Sequence, residues 1–412
     1  MNRRDLFASG GAAALLLTSP SAFAAPLAPA AAGLVGLRSA LEFGVTGDGL
    51  VDETDALQGA IDAVLNASAP SFLVIPPGRY RISRPLRIEY RRETTGNVTQ
   101  PHGILAHGAT LLSDIADGSD VLTITSHATA RFLLMEGLAI RGNRNEGRGL
   151  VFDCNREGSY LYNLCLRDIF VENCGSDGLN MIGNIFEGQI FNCYFRDNGG
   201  TGAVWKHGDA GGVLSAIHVF GSVFGGNTNH GAVLSSPAND ASFHGCYFLE
   251  NGLFGLSAAN GCPLLSHCGF ENNHMKAGSK AAGDAGARIS NFGTLVGCTS
   301  HSIHYQTHLV RSYIVGDITM IGCSASGSRL AALQSNGTGR ATVIGCRGEV
   351  DHTGTFRSVR IGQEAGAVFG SDWNSMNLVH LGDYRLWVDG DGNLRMKQGA
   401  PVADDDGKLV GI

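Results

Sequence analysis

The residues best able to do chemistry in this chain are carboxylates that recur at one step of a repeat. Asn143, Asn173, Asn198, Asn227, Asn251 and Asn273 follow one another at intervals of 30, 25, 29, 24 and 22 residues. The residue just before each reads Gly142, Glu172, Asp197, Gly226, Glu250 and Asn272. If each repeat is one turn of a solenoid, Glu172 and Asp197 lie on adjacent coils and Glu250 two coils beyond. Two carboxyl groups held ~5–10 Å apart are the machinery of glycoside hydrolysis, one protonating the leaving oxygen and the other acting as base or nucleophile. Glu172, Asp197 and Glu250 are therefore candidate catalytic residues. The competing reading is a row of solvated turn carboxylates.

A second group surrounds Lys206-His207-Gly208-Asp209. If Leu179, Ala203 and Ala232 point inward, then Asp153, Ile182, Lys206 and Ser235 form an outward row. A Lys or His there can bind a uronate carboxylate or abstract an α-proton, as elimination requires. Asp209 joins the catalytic candidates; Asp153, Lys206 and His207 are candidate substrate-binding residues. Asp177 and His230, each one residue before the Gly that opens a strand, are weaker companions. A surface loop of mixed charge is the alternative. Trp205 should face inward.

The elements that must position these residues are short and numerous. Three residues before each Asn stands Ile140, Phe170, Phe195, Phe224, Phe248 or Phe270. After most comes Gly and a short apolar run: Gly178-Leu-Asn-Met-Ile, Gly202-Ala-Val-Trp-Lys, Gly231-Ala-Val-Leu-Ser, Gly255-Leu-Ser-Ala-Ala. Strands this short bury no face alone. Coiled so that each pairs with its equivalent one turn away, they stack about 4.8 Å apart. An Asn column suits the bends, because Asn tolerates a left-handed backbone and stacked amides satisfy one another. The expected fold is an all-β, right-handed parallel β-helix.

Cysteine repeats the message. Cys193, Cys246, Cys268, Cys298, Cys323 and Cys346 are spaced by 53, 22, 30, 25 and 23 residues, and Ser222 splits the first interval into 29 and 24. One Cys per repeat at one step is a buried stack of small apolar side chains rather than a disulfide framework. No Cys-x-x-Cys pair occurs, so no zinc is expected, nor any other metal or cofactor.

Before the repeats, Leu57, Ala60, Ile61, Val64 and Leu65 form a one-faced helical stripe with Asp52 placed to cap it. Phe72 to Tyr80, Ile82 to Ile88 and Gly103 to Leu112 read as strands, and the helix as a lid on the solenoid. The run Phe43-Gly-x-x-Gly-Asp-Gly-x-x-Asp-x-Thr-x-Ala-Leu, with Pro76-Pro77-Gly78-x-Tyr80, resembles the start of the rhamnogalacturonase/epimerase-like pectate-lyase domain. That family is itself similar to phage tailspikes and family 28-related glycoside hydrolases. The resemblance implies that Asp48, Asp52 and Asp55 are turn and cap residues. It also implies a polysaccharide as partner, acted on by hydrolysis, lyase elimination or epimerisation, and a homotrimer as one assembly. The polygalacturonase signatures Asn-Thr-Asp, Asp-Asp, Gly-His-Gly and Arg-Ile-Lys do not appear in order, and the alginate-epimerase Asp-Pro-His-Asp is absent. His244-Gly245 and Arg360-Ile361 are fragments only. A hydrolase stands slightly ahead of a lyase; the alternative is a non-catalytic glycan-binding or envelope structural protein.

Composition agrees. With 43% hydrophobic and 16% charged residues the chain has ample core, and its 59 glycines mark frequent tight turns. A formal charge of −7, with no basic cluster beyond Arg79–Arg87, disfavours nucleic acid. Arg3-Arg4 before the apolar run Ala8 to Leu17, then Ala22-Phe23-Ala24, reads as a twin-arginine signal over 1–24, directing the protein to the periplasm or beyond. No other stretch approaches a membrane span. The expected organisation is signal 1–24, linker 25–40, β-helix 41–370 and tail 371–412. In the tail, Tyr384 to Lys397 alternates around Asp-Gly and reads as a β-hairpin rather than a calcium loop.

Overall fold

A typical coil is built from three short strands turned by single left-handed residues, and a short fourth strand is added at Thr129–Arg131, Tyr160–Tyr162, Ile185–Phe186 and Leu214–Ser215. In one coil Cys165–Arg167 and Phe170–Glu172 are separated by Asp168 at φ 52°, and Asn173 at φ 58° ends the second strand. After a tight turn the third strand, Leu179–Gly183, follows. The first corner recurs at Asn192, Gly221, Gly245, His267, Gly297, Gly322 and Gly345, with φ between 50° and 61°. The second recurs at Asp197, Gly226, Glu250 and Asn272, with φ between 47° and 66°. Each strand pairs in parallel with its equivalent one coil on: Leu179 with Ala203, Ala203 with Ala232, Ala232 with Leu256. This is the expected right-handed parallel β-helix.

The computed structural model describes residues 36–410 except 94, 209–211, 236–240, 259–260, 262, 276–284, 291, 303–307, 313–317, 335–339, 349, 354–356, 362–378, 382–383, 390, 392 and 400–405. Residues 37–412 form one unit. The signal segment, linker residues 25–35, Asp209 and Cys262 lie outside the described residues, whereas Leu37–Ser39, at the end of the expected linker, pairs in parallel with Phe72–Val74.

The residue after each corner points inward, and this produces both columns read from the sequence. After the first corner come Ile169, Cys193, Ser222, Cys246, Cys268, Cys298, Cys323 and Cys346, all buried. The nine described cysteines are free thiols. Burial pushes the Cys193 thiol up to about 12. For Cys268, Cys298 and Cys323, hydrogen bonding to the preceding thiol, with burial, does the same. The phenylalanines Phe195, Phe224, Phe248 and Phe270 fill the cylinder, with Trp205 inward beside them as expected.

The asparagine column needs two corrections. It has four members, Asn198, Asn227, Asn251 and Asn273, joined by Nδ2-to-Oδ1 bonds of 3.0, 3.0 and 2.8 Å. Below them the step is taken by Cys174, whose N–H donates to Asn198 Oδ1 at 3.1 Å. Asn173 is the corner residue itself, so Val171 rather than Phe170 fills the core. One coil earlier the turn is longer: Asn143 is exposed, and buried Glu146 accepts from the N–H groups of Asn143 and Gly175 at 3.0 Å each. The second correction concerns backbone: the left-handed residue precedes each ladder Asn, leaving the amide free to bond along the axis.

At the N-terminal end, α1 (Thr54–Val64) buries Leu57, Ala60, Ile61 and Val64. Asp52 accepts from Thr54 N–H at 3.0 Å; against the pull of partial desolvation, bonds from Ser83 and Thr54 hold its carboxyl down to about 2. Buried Glu53 accepts from the N–H and hydroxyl of Thr46 and from Gly47 N–H, fixing the glycine-rich turn before the helix. Gly47 sits at φ 70°, and a Cβ there would come 2.9 Å from the Tyr80 ring. The expected strand from Ile82 to Ile88 is broken at Pro85: Gly78–Ile82 and Leu86–Tyr90 belong to different sheets.

The C-terminal hairpin pairs Tyr384–Val388 with Leu394–Gln398, and Val379–Leu381 and Lys408–Leu409 extend it to four antiparallel strands. Asp389 holds the turn by accepting from Asp391 and Asn393 N–H at 3.1 and 2.7 Å. Among the described residues no helix is long and apolar enough to cross a membrane.

Candidate functional site

The carboxylates of the second corner do not form the row expected of them. Glu172 is the last residue of its strand, in register with Arg141 and Arg196, and accepts from Arg141 Nε at 2.6 Å. The slip that places Asn173 at the corner moves Glu172 one step out of line with Asp197. Asp197 and Glu250 do share the corner column, two coils apart, with Gly226 between them. That separation is roughly 9–10 Å in backbone. Asp197 takes Arg196 Nε at 2.9 Å on one oxygen and lays the other over Gly226, where a Cβ would lie 2.1 Å away. Glu250 is exposed, and among the described residues its carboxylate has no ion pair. Gly225, in register with Arg196 and Leu249, gives the coil between Asp197 and Glu250 two consecutive glycines, covered by the Leu249 side chain and by that Asp197 oxygen.

The remaining candidates gather on the outer face of the third-strand sheet and its entry turn. Asp153, Ile182 and Lys206 are in register as expected, and Ser235 follows, its N–H bonded to Trp205 O at 2.9 Å. Asp153 accepts from Asn155 N–H at 3.0 Å; His207 is exposed. Asp177, Thr201 and His230 stack at the far rim of the turn that begins at the second corner. Asp177 accepts from Thr201 N–H at 2.7 Å and Asn180 Nδ2 at 2.8 Å. Burial lowers the His230 imidazole to about 4, so it is neutral at neutral pH, stacked on Phe254 at 5.8 Å. Two rims of one turn thus carry Asp197 and Glu250 on one side, Asp177 and His230 on the other.

Sequence reasoning missed the coils below. Asp120 and Arg148 stand at the same step as Asp177, a column of its own at intervals of 28 and 29 residues. Arg148 donates Nε and Nη2 to the two oxygens of Asp120 at 3.0 and 2.7 Å. They line an open cavity of about 470 Å³ with Arg87, Ser119, Thr123 and Ser176. Among the described residues no group of three His, Cys, Asp or Glu is placed to hold a metal ion.

Residues 37–133 match the family model described as rhamnogalacturonase A/epimerase, pectate lyase-like. Over that stretch the chain is similar to the pectate-lyase-like family. Residues 299–412 match a second model, described as capsule depolymerase. No curated protein matches the sequence. Among solved structures, ORF18 of Geobacillus virus E2 is similar at TM-score 0.58 and 16% identity, over 87% of this chain and 68% of that one. The Agl-KA catalytic domain is similar at 0.54 and 12%, over 80% and 69%. PfbA, a surface adhesin of Streptococcus pneumoniae, is similar at 0.51 and 11%, over 88% and 99%. Likeness at these identities is likeness of fold. In the coil the outward aromatics, such as Phe191, Phe220 and His244 at 4.9 and 5.0 Å, stack on one another with Arg167 over the end ring. Their faces are occupied, so they brace neighbouring coils instead of offering a sugar platform.

Proposed function

We propose that the protein is an exported enzyme that hydrolyses an acidic or complex polysaccharide, with Asp197 and Glu250 as its carboxyl pair. The observation that carries this is that Asp197 and Glu250 stand in one corner column two coils apart, with a glycine and no third carboxylate at the corner between them. A glycan lying along the helix axis presents about one sugar per coil, and its scissile bond passes between the two carboxyl groups. Glu250, exposed and free of an ion pair, protonates the leaving oxygen. Asp197, oriented by Arg196, activates a water on the opposite face. Carboxyl groups ~6.5–9.5 Å apart leave room for that water and give inversion at the anomeric carbon. Asp177, His230, Asp153, Lys206 and His207 flank the path as binding groups in this reading. The capsule-depolymerase likeness over residues 299–412 supports a polymeric glycan substrate, and Arg3-Arg4 with its apolar run supports export.

The test is a panel of plant, algal and bacterial exopolysaccharides assayed for new reducing ends and for unsaturated-uronate absorbance. Reducing ends without absorbance, and an inverted first product by NMR, are expected. Absorbance would move the reaction to elimination, with Lys206 as the base to examine. Silence in both assays, with glycan binding retained, would make the protein a binder instead.

A further inference from the structure

The cavity beneath the proposed cleavage step has a composition that selects a ligand. Arg87 lies on Leu86–Tyr90, the first strand of the third-strand sheet, in register with Thr123. Its backbone is fixed by α1: Gln58 Nε2 donates to Arg87 O at 2.9 Å, and Arg87 N–H donates to Gln58 Oε1 at 2.9 Å. Its side chain is exposed, and among the described residues the guanidinium has neither ion pair nor hydrogen bond. Across the cavity, Asp120 already accepts from Arg148 on both oxygens, so that pair is internally neutral. Asp177, one coil further along the same rim, keeps its charge, since both its donors are neutral, but it does not line the cavity. Among the lining residues the unbalanced charge is the one positive charge of Arg87. Thr123 and Ser176 add hydroxyls that have no partner among the described residues. A volume of about 470 Å³ is that of a small-ligand site.

We propose that this cavity binds one anionic sugar residue, its acid group on the Arg87 guanidinium and its hydroxyls on Thr123 and Ser176. A guanidinium pairs a carboxylate in a planar fork that a neutral sugar cannot use. The position adds a role. Ser119, Gly147 and Ser176 stack coil on coil, and the next steps are Gly200, Asn229 and Leu253, between the rims that hold Asp197 and Glu250. A chain along this turn would place its end in the cavity, beside the capped end of the coil, and its cleaved bond a fixed few sugars away. That chain-end role rests on the hydrolase reading; the acidic-sugar site does not.

Calorimetric or NMR titration with D-galacturonate, D-galactose and inorganic sulfate separates these statements. Galacturonate should bind about tenfold more tightly than galactose, the factor expected of one charge-assisted hydrogen bond. Arg87→Gln, an exposed change, should remove that preference, and Ser176→Phe should block both sugars with the melting curve unmoved. Equal binding of the two sugars, a preference that survives Arg87→Gln, or sulfate binding as well as galacturonate would each overturn the site. Persistent, Arg87-dependent galacturonate binding alongside silence on every polymer would instead sink the hydrolase reading and leave the site standing.

Discussion

The two corners of the coil solve one backbone problem with different residues. Both need a left-handed residue followed by an inward side chain. At the first corner glycine supplies it in five coils, at Gly221, Gly245, Gly297, Gly322 and Gly345, and Asp168, Asn192 and His267 in three others; the inward positions carry thiols apart from Ile169 and Ser222. At the second, Asn173, Asp197, Glu250 and Asn272 take the same conformation around Gly226, and the inward positions carry amides apart from Cys174. Asn and Asp visit this region readily because short polar side chains bond locally; Glu has no such aptitude. A glutamate held there, exposed and without an ion pair, is poorly explained by packing. The first corner takes mostly glycine, and its one carboxylate, Asp168, is bonded by Asn192 Nδ2, whereas the second keeps Asp197 and, unpaired among the described residues, Glu250 beside a single glycine.

The largest expected effect tests that distinction directly. Glu250→Gln and Asp197→Asn should each lower turnover by about 10²–10⁴-fold, the usual contribution of a positioned acid or base, with the circular dichroism spectrum unchanged. Glu172→Gln, one step out of the column and held by Arg141, should lower it far less. Equal losses at all three positions would mean that the corner residues act only through general electrostatics.

Next in size is the contrast between the inward columns. Asn227 donates to Phe195 O and Asn251 Oδ1 and accepts from Asn198. Asn227→Ala strands these buried groups and should cost about 3 kcal/mol in urea unfolding. Cys246→Ala leaves only a small cavity and should cost about 1 kcal/mol. The thiols should also be inert: Cys193, Cys268, Cys298 and Cys323 are pushed up to about 12, and Cys246, which the Cys268 thiol draws down, is fully buried, so native alkylation should stay slow from pH 7 to 9. Alkylation should become near-stoichiometric after unfolding. Disulfide-linked peptides such as Cys193–Cys246 in unreduced protein would break the column.

The fold was legible because its physics is periodic: thiol, phenylalanine and amide columns repeat wherever the coil repeats. The register failed at Asn173, where Cys174 takes the ladder step and an adjacent Asn at the corner mimics it. That single slip put Glu172 into the carboxylate row. Spacing could not show that Glu146 replaces Asn143, because the turn there is longer. The candidate site was half legible. Asp197 and Glu250 stood in the right column, but that Glu172 leaves it, and that Asp177 and His230 line the opposite rim, shows only once the coils are stacked. Arg87 is invisible as a site residue in sequence, because Thr123 and Ser176 meet it only through the coil.

The smallest effect sharpens the comparison most, since it runs against ordinary expectation. If Glu250 is retained at the second corner for chemistry, its backbone carries a cost that a better left-handed residue would relieve. The conformation costs an ordinary L-residue about 1–2 kcal/mol, whereas glycine returns about 0.5–1 kcal/mol of that as lost chain entropy. Glu250→Gly should therefore stabilise the fold by about 0.5–1 kcal/mol, and Glu250→Asn by about 0.5 kcal/mol, in urea titrations at fixed slope. Both should be inactive on any polysaccharide the unaltered protein cleaves. At the first corner the reverse exchange, Gly245→Glu, should destabilise by a similar amount and leave turnover alone, since nothing lies within 4 Å of a Cβ built there. A destabilised Glu250→Gly would show that the glutamate is held for structure, and the two corners would then differ in composition but not in purpose.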